Sequence, residues 1–399
     1  MFPTNKSIMR GRLRLTAQHR SRGVTLIEVL VGIVIGMVGM LVIFQTVSVW
    51  DARTRVSTSS GDAQISGSLA MFNLERDIRL AGMGFGTAGS AELGCVVNSY
   101  DNAASGAGAA LVLRPVNIVF GGEGTAVPDT IEVMYGDSPY FAKLQQFTGG
   151  STSQMTASPS KYGFKRGDVV VMTNASNNCN LVQITDDTAA DDYSLTFGTG
   201  TYTDFYTGAA TPVRWNSASA SAPPISAGNL YNLGPSPRDD LWSVNTSSGT
   251  LAYVNGMGAN PTESFGVAEG VINLKAYYGC DANGDGKIDN TEWQNTAPTD
   301  WTRVRAIRVA LLVRGQDYSA PPASNPEAPN FKSPNPSYLG IGGAMTLFAM
   351  TNVDGTPDSG DVGPNPNNWR YYRYRVYEKE IPLRNMMWGQ SPPTGAGGC

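Results

Sequence analysis

Arg20-Ser-Arg-Gly-Val-Thr-Leu-Ile-Glu-Val-Leu-Val-Gly-Ile-Val-Ile-Gly-Met37 is the stretch around which this 399-residue chain is arranged. A basic, polar leader ends at Gly23, and the apolar run from Val24 to Trp50 holds a single charge, Glu28. The 22 residues from Val29 to Trp50 carry no ionisable side chain. As a helix they are long enough for a hydrocarbon core of ~30 Å. Positive charge lies before the run and none inside it, so the N-terminus is expected in the cytoplasm and everything after Trp50 outside it.

Glu28 is the anomaly. A carboxylate in a membrane helix costs ~2.5–3.5 kcal/mol at the centre, less near the interface, and usually has a partner. It can snorkel to the headgroups. A cut after Gly23 offers something else, a new α-amino group on Val24 with a pKa of ~8. Four residues along the same helix, Glu28 cannot comfortably fold back onto that amine. It can accept the amine of a neighbouring helix shifted by about one turn, which neutralises both charges and sets the register between subunits.

Arg22-Gly-Val-Thr-Leu-Ile-Glu-Val-Leu-Val31 resembles the class III signal of type IV prepilins and of type II secretion pseudopilins. The resemblance implies that a prepilin peptidase cuts after Gly23 and methylates Val24, and that Glu28 guides assembly into a helical filament. Two departures stand out: Val24 where phenylalanine is usual, and a leader as long as 23 residues.

The leader residues Lys6, Arg10, Arg12, Arg14, Arg20 and Arg22 are six of the chain's 29 basic side chains, so their removal leaves 23 against 33 acidic ones, net −10 instead of −4. So acidic a chain is a poor general nucleic-acid binder. The only histidine, His19, lies in the leader. Its loss removes Ser–His and Cys–His catalysis together with histidine metal sites, and the chain is expected not to be an enzyme. Gly 46 and Pro 24 describe a loop-rich, β-rich exported region. Its four cysteines, Cys95, Cys179, Cys280 and Cys399, favour two disulfides in an oxidising compartment. Three pairings are open; Cys95–Cys179 with Cys280–Cys399 is preferred, the second tying down the Gly-rich tail.

Four segments are expected: a leader 1–23, a membrane and filament helix 24–50, its amphipathic continuation 51–82, and a β-rich head 83–399. No proline interrupts Thr25 to Arg114, and glycine can stop the helix at Ala81-Gly82. Ile65, Leu69 and Phe72 fall at i, i+4, i+7, with Met71, Leu74 and Ile78 beside them, and are read as the face against the head. Beyond Gly82 the pattern turns to short alternating runs. The strongest are Ile272–Tyr278, Val304–Val313 and Tyr371–Leu383; weaker ones are Ala110–Val116, Thr130–Met134, Asp168–Thr173, Leu181–Thr185 and Leu251–Val254. The expected class is α+β, a long N-terminal helix packed on a mostly antiparallel sheet, with a large loop-rich β insertion over about 95–255.

Ala276-Tyr-Tyr-Gly-Cys-Asp-Ala-Asn-Gly-Asp-Gly286, Arg303-Val-Arg-Ala-Ile-Arg-Val-Ala-Leu-Leu-Val-Arg314 and Tyr374-Arg-Val-Tyr-Glu-Lys-Glu-Ile-Pro-Leu-Arg-Asn385 resemble, in this order, the C-terminal half of PilW-type minor pilins, as does Asp77-Ile-Arg-Leu-Ala-Gly82. What that family implies is a low-copy pilin that helps initiate pilus assembly near the tip and supports twitching motility. Its implied partners are other minor and major pilins, the prepilin peptidase, the inner-membrane assembly platform, and the membrane before assembly. The head would wait in the periplasm and reach the cell surface on the pilus. A J-like pseudopilin of type II secretion and a calcium-dependent tip adhesin are the alternatives.

Asp281-Ala-Asn-Gly-Asp-Gly-Lys-Ile-Asp-Asn-Thr-Glu292 fits a twelve-residue calcium loop. Asp281, Asn283 and Asp285 take positions 1, 3 and 5, Gly286 the turn, Lys287 the carbonyl at 7, Asp289 position 9 and Glu292 position 12. Strand-like flanks place this loop between sheet elements instead of helices. Arg166-Gly167-Asp168 reads as a turn entering a strand, not an integrin-type motif. Tyr371-Tyr-Arg-Tyr-Arg-Val-Tyr377 reads as cross-strand packing with solvated arginines.

Overall fold

A computed structural model describes residues 23–104, 108, 111–140, 144–217, 225–319, 321, 331–358, 360–389, 395 and 397–399. The leader up to Arg22, His19 included, lies outside them, as do most of the loops around 218–224 and 320–330. The chain divides into two compact units at Asp51/Ala52.

The first unit carries the start of a helix that runs Leu26–Leu80. From Val24 to Trp50 every side chain is exposed except half-buried Val49. It is the one helix among the described residues long and apolar enough to cross a membrane.

In the second unit the helix buries Ser59, Ala63, Gly67, Ala70, Met71, Leu74, Glu75, Asp77 and Ile78. This corrects the expected contact face. Met71, Leu74 and Ile78 are inside, but Ile65, Leu69 and Phe72 point to solvent, Ile65 being 71% and Phe72 62% exposed. The reason is distance of approach. A Cβ on Gly67 would lie 2.0 Å from the Tyr377 ring, so the seam takes its smallest residues and turns the bulky ridge outward. Tyr377 donates its hydroxyl to the Gln64 carbonyl at 2.8 Å, Lys379 reaches Glu75 at 2.7 Å and Arg375 reaches Ser60 at 3.2 Å. Residues 375, 377 and 379 alternate along one strand and therefore share a face. The helix stops where expected: Gly82 has φ +78°, and the Asn385 amide donates to the carbonyls of Leu80 and Ala81.

That strand, Tyr374–Pro382, borders an antiparallel four-stranded sheet ordered Trp293–Gln294, Val271–Cys280, Val304–Arg314, Tyr374–Pro382. The main core, with Leu74, Ile78, Leu274, Ala276, Ile307 and Leu311, covers one face. An aromatic cluster of Tyr277, Trp293, Tyr338, Phe348 and Trp369 covers the other. With both faces buried, Val304–Arg314 is nearly continuous in apolar residues, as double coverage requires.

A five-stranded antiparallel sheet is ordered Ser264–Glu269, Thr250–Asn255, Arg238–Asn245, Thr130–Tyr135, Val116–Val119. An eight-stranded sheet fills most of 95–234 and has its own core around Phe147, Met155, Phe164, Met172, Leu195 and Leu230. It includes a parallel pair, Val96–Asn98 with Cys179–Gln183. The fold is α+β as expected, but the insertion is more regular than its loops suggested. Strands such as Gln145–Thr148 and Gln154–Ser158 were missed because their exposed positions are polar and they are only four or five residues long. The weak run at Ala110–Val116 resolves into Leu111–Val112 and a separate strand Val116–Val119, divided at Pro115, which has no N–H for a ladder.

Candidate functional site

The helix begins on the Thr25 carbonyl, which accepts from the amides of Glu28 at 3.0 Å and Val29 at 3.2 Å. Glu28 is thus in the first turn, exposed, at the positive end of the helix dipole. Gly23 has no heavy atom within 4 Å of where a Cβ would sit, and Val24 is 68% exposed. Gly23, Val24 and Glu28 are all exposed at the start of an apolar helix.

Further along, the helix is held to the head by a buried polar seam. Asp77 and Asp240 are both fully buried, and the Tyr135 hydroxyl lies between them, 3.4 Å from Asp77 Oδ1 and 3.3 Å from Asp240 Oδ2. Arg238 grips Asp240 with two nitrogens at 2.7 and 3.0 Å. Burial, followed by the two carboxylates, pushes the Tyr135 hydroxyl far above its usual range. Next door, burial with Glu132 and Asp240 as negative neighbours pushes Asp239 up to about 8.

Just past the helix, Glu92 joins the connecting segment to the eight-stranded sheet. Its carboxylate accepts from Thr173 Oγ1 and Asn229 Nδ2, both at 2.6 Å, from the Tyr231 hydroxyl at 2.5 Å and from the Gly89 amide at 3.0 Å. Burial pushes this carboxyl up, but hydrogen bonds led by Thr173 and Tyr231 hold it below its ordinary value. Nothing local in the sequence marks Glu92, because its three side-chain partners lie more than 80 residues away.

The acidic loop falls between the strands Val271–Cys280 and Trp293–Gln294, as its flanks predicted. Asp281 is fully buried, and its carboxylate accepts from the amides of Gly284, Asp285 and Gly286. Asn283 Oδ1 accepts from the Asp285 amide, and Asp285 Oδ1 from the Lys287 amide. Glu292 accepts from Ala282 and Asn283 with one oxygen and from Asp289 with the other. The Arg305 guanidinium is 3.8 Å from Asp281 Oδ2. Among the described residues no group of three or more His, Cys, Asp or Glu side chains converges on a point that could hold a metal.

Both preferred disulfides are present. Cys95–Cys179 has its Cα atoms 6.2 Å apart and Cys280–Cys399 5.9 Å. The second anchors the tail beside the acidic loop, where the Gly397 amide donates to the Ala282 carbonyl. Asp168 of the Arg-Gly-Asp sequence is fully buried, bonded to Tyr206 and Asn232, which rules out display of that motif.

An exposed apolar N-terminal helix, its second part seated through small residues on an antiparallel head, defines a type IV pilin-like protein. Residues 18–44 match the prokaryotic N-terminal methylation motif, and residues 242–385 match the Type IV Pilus-assembly protein W family. Together the two matches support a PilW-type minor pilin. No curated protein and no solved structure matches it. The matched region 242–385 holds the four-stranded sheet that receives the helix, and these pilin domains point to a structural, non-enzymatic protein.

Proposed function

We propose that the chain is a prepilin, cut after Gly23 by prepilin peptidase, that helps initiate pilus assembly at the filament tip. The observation that carries this reading is the exposure of Val24–Trp50. An apolar surface of that length needs a second environment: first the inner membrane, with the head in the periplasm, and then the helices of other minor and major pilins at the assembly platform. Glu28, exposed in the first turn, would accept the Val24 amine of a neighbouring subunit. The bulk of the head favours a terminal, low-copy position over repetition along a packed fibre. In a gene deletion, major pilin should stay in the membrane with few fibres on the cell. Normal piliation would contradict the priming role; loss of exoprotein export with pili intact would point to the secretion pseudopilin instead.

Calcium at Asp281, Asn283, Asp285, Lys287, Asp289 and Glu292 is a second proposal, resting on ligand type and spacing. Calorimetry on the full chain in detergent, with Asp281→Ala as the control, tests it. Equal calcium heats from the two would remove the site.

A further inference from the structure

Away from the helix and the acidic loop, the least solvated charge pair among the described residues is Lys275 with Asp129, 1% and 0% exposed at their side chains. They are 146 residues apart in sequence and bring the strand Val271–Cys280 against the loop that enters Thr130–Tyr135. Lys275 Nζ is 3.4 Å from Asp129 Oδ1, whereas charge-assisted contacts of this type close to ~2.7–2.9 Å. Its shorter contacts go to neutral acceptors, the carbonyls of Val127 at 2.6 Å and Gly122 at 2.9 Å. A neutral amine has two N–H donors, and these two carbonyls use both. Thr125 Oγ1 and Asp129 Oδ1 both lie farther off, at 3.4 Å, and in the neutral amine the lone pair can turn to the carboxyl group. On the other side, Asp129 Oδ1 accepts from the Gly121 amide at 2.8 Å and Oδ2 from the Ala276 amide at 2.9 Å. Each carboxyl oxygen thus has a fixed N–H donor, so whichever takes up negative charge on attack is stabilised by one.

We propose that Lys275 and Asp129 condense into an intramolecular amide cross-link between the strand and the loop. Nζ attacks Cγ of the protonated carboxyl; the unprotonated oxygen takes the negative charge and keeps its own backbone amide, that of Gly121 or of Ala276. Collapse breaks one C–O bond. The departing oxygen leaves as water, with the carboxyl proton and one amine proton. The product nitrogen keeps one hydrogen for a single carbonyl. No oxidant, reductant or further reactant enters. Burial favours both neutral reactants, since it raises the Asp129 pKa and lowers that of Lys275. It also makes an unreacted ion pair expensive to keep there. Glu123 is close by but engaged with Tyr277 and Thr346, so the pair itself supplies the protons.

The test is mass spectrometry of the full chain, purified in detergent, reduced and denatured. The expected intact mass is one water below that of the sequence from whichever N-terminus is found. Proteolysis should release a branched peptide joining the segments around Asp129 and Lys275, and Lys275→Arg should restore the missing water. Linear peptides with free Lys275 and Asp129 side chains, recovered from folded wild-type protein, would overturn the proposal. So would a water loss that persists in Lys275→Arg. If that variant does not fold, the wild-type peptide map alone decides.

Discussion

One helix has two kinds of surface. From Val24 to Trp50 it is large, apolar and exposed; from Ser59 to Ile78 it is buried along a stripe whose first four residues, Ser59, Ala63, Gly67 and Ala70, are small. In the first part composition decides, because any apolar neighbour will serve. In the second part shape decides, because Tyr377 and the seam at Asp77 accept only residues that let the helix come close. The first part is a surface for other molecules, the second a joint within one molecule. Substitutions in the two should therefore fail in different assays.

The largest expected effect belongs to the first part. Glu28→Val should leave cleavage and head stability unchanged but cut incorporation into sheared fibres by about tenfold or more, the equivalent of losing one buried charge pairing. Immunoblots of the fibre and membrane fractions would show it. Wild-type amounts in the fibre would break the contrast by showing that the carboxylate has no partner.

Within the joint, Leu74→Ala removes a fully buried side chain and should cost about 2–5 kcal/mol. Gly67→Val should cost about 1–3 kcal/mol or more, since the added carbons collide with the Tyr377 ring. Denaturant titration of the full chain in detergent reads both. Gly36→Val is the matched control: nothing lies within 4 Å of that position, so head stability should not change.

Glu92 adds a pH axis. Its folded pKa is depressed, so its contribution is present above the unfolded value of ~4.3 and is lost as pH falls through the lower folded one. Glu92→Ala strands Thr173, Asn229 and Tyr231 and should cost about 1–3 kcal/mol at neutral pH, with the gap to wild type narrowing in acid. A gap independent of pH would mean that the carboxylate charge contributes nothing.

The smallest effect sharpens the comparison most. Ile65→Ala and Phe72→Ala should leave stability within about 0.5 kcal/mol of wild type, because both side chains face solvent. A loss as large as that of Leu74→Ala would restore the contact face that periodicity alone suggested.

That reversal shows where sequence reading stops. Hydrophobic periodicity finds the bulkiest ridge, and on this helix the bulkiest ridge faces outward. The first half of the seam is built from the small residues Ser59, Ala63, Gly67 and Ala70, and the neighbours that require small size, Tyr377 at Gly67 and Gly315 at Ser59, are some 250 to 310 residues away. The apolar helix, its stop at Gly82 and the strands Val271–Cys280 and Val304–Arg314 were legible because each is a local or strongly repeated pattern; the cysteine count favoured two disulfides, but partners 84 and 119 residues apart are chosen by the fold. The eight-stranded sheet was only partly so: its strands are short and its exposed positions polar. Glu92 and the Lys275–Asp129 pair were not legible, since their partners are brought together only by the tertiary fold.

Everything assigned to the exposed helix depends on an amine at Val24. N-terminal sequencing or mass analysis of the protein recovered from fibres in its native host measures this directly. The account predicts a chain that begins at Val24, methylated, with residues 1–23 gone. A fibre-associated chain that still carries its leader would contradict it, because Glu28 would then have no neighbouring amine to meet.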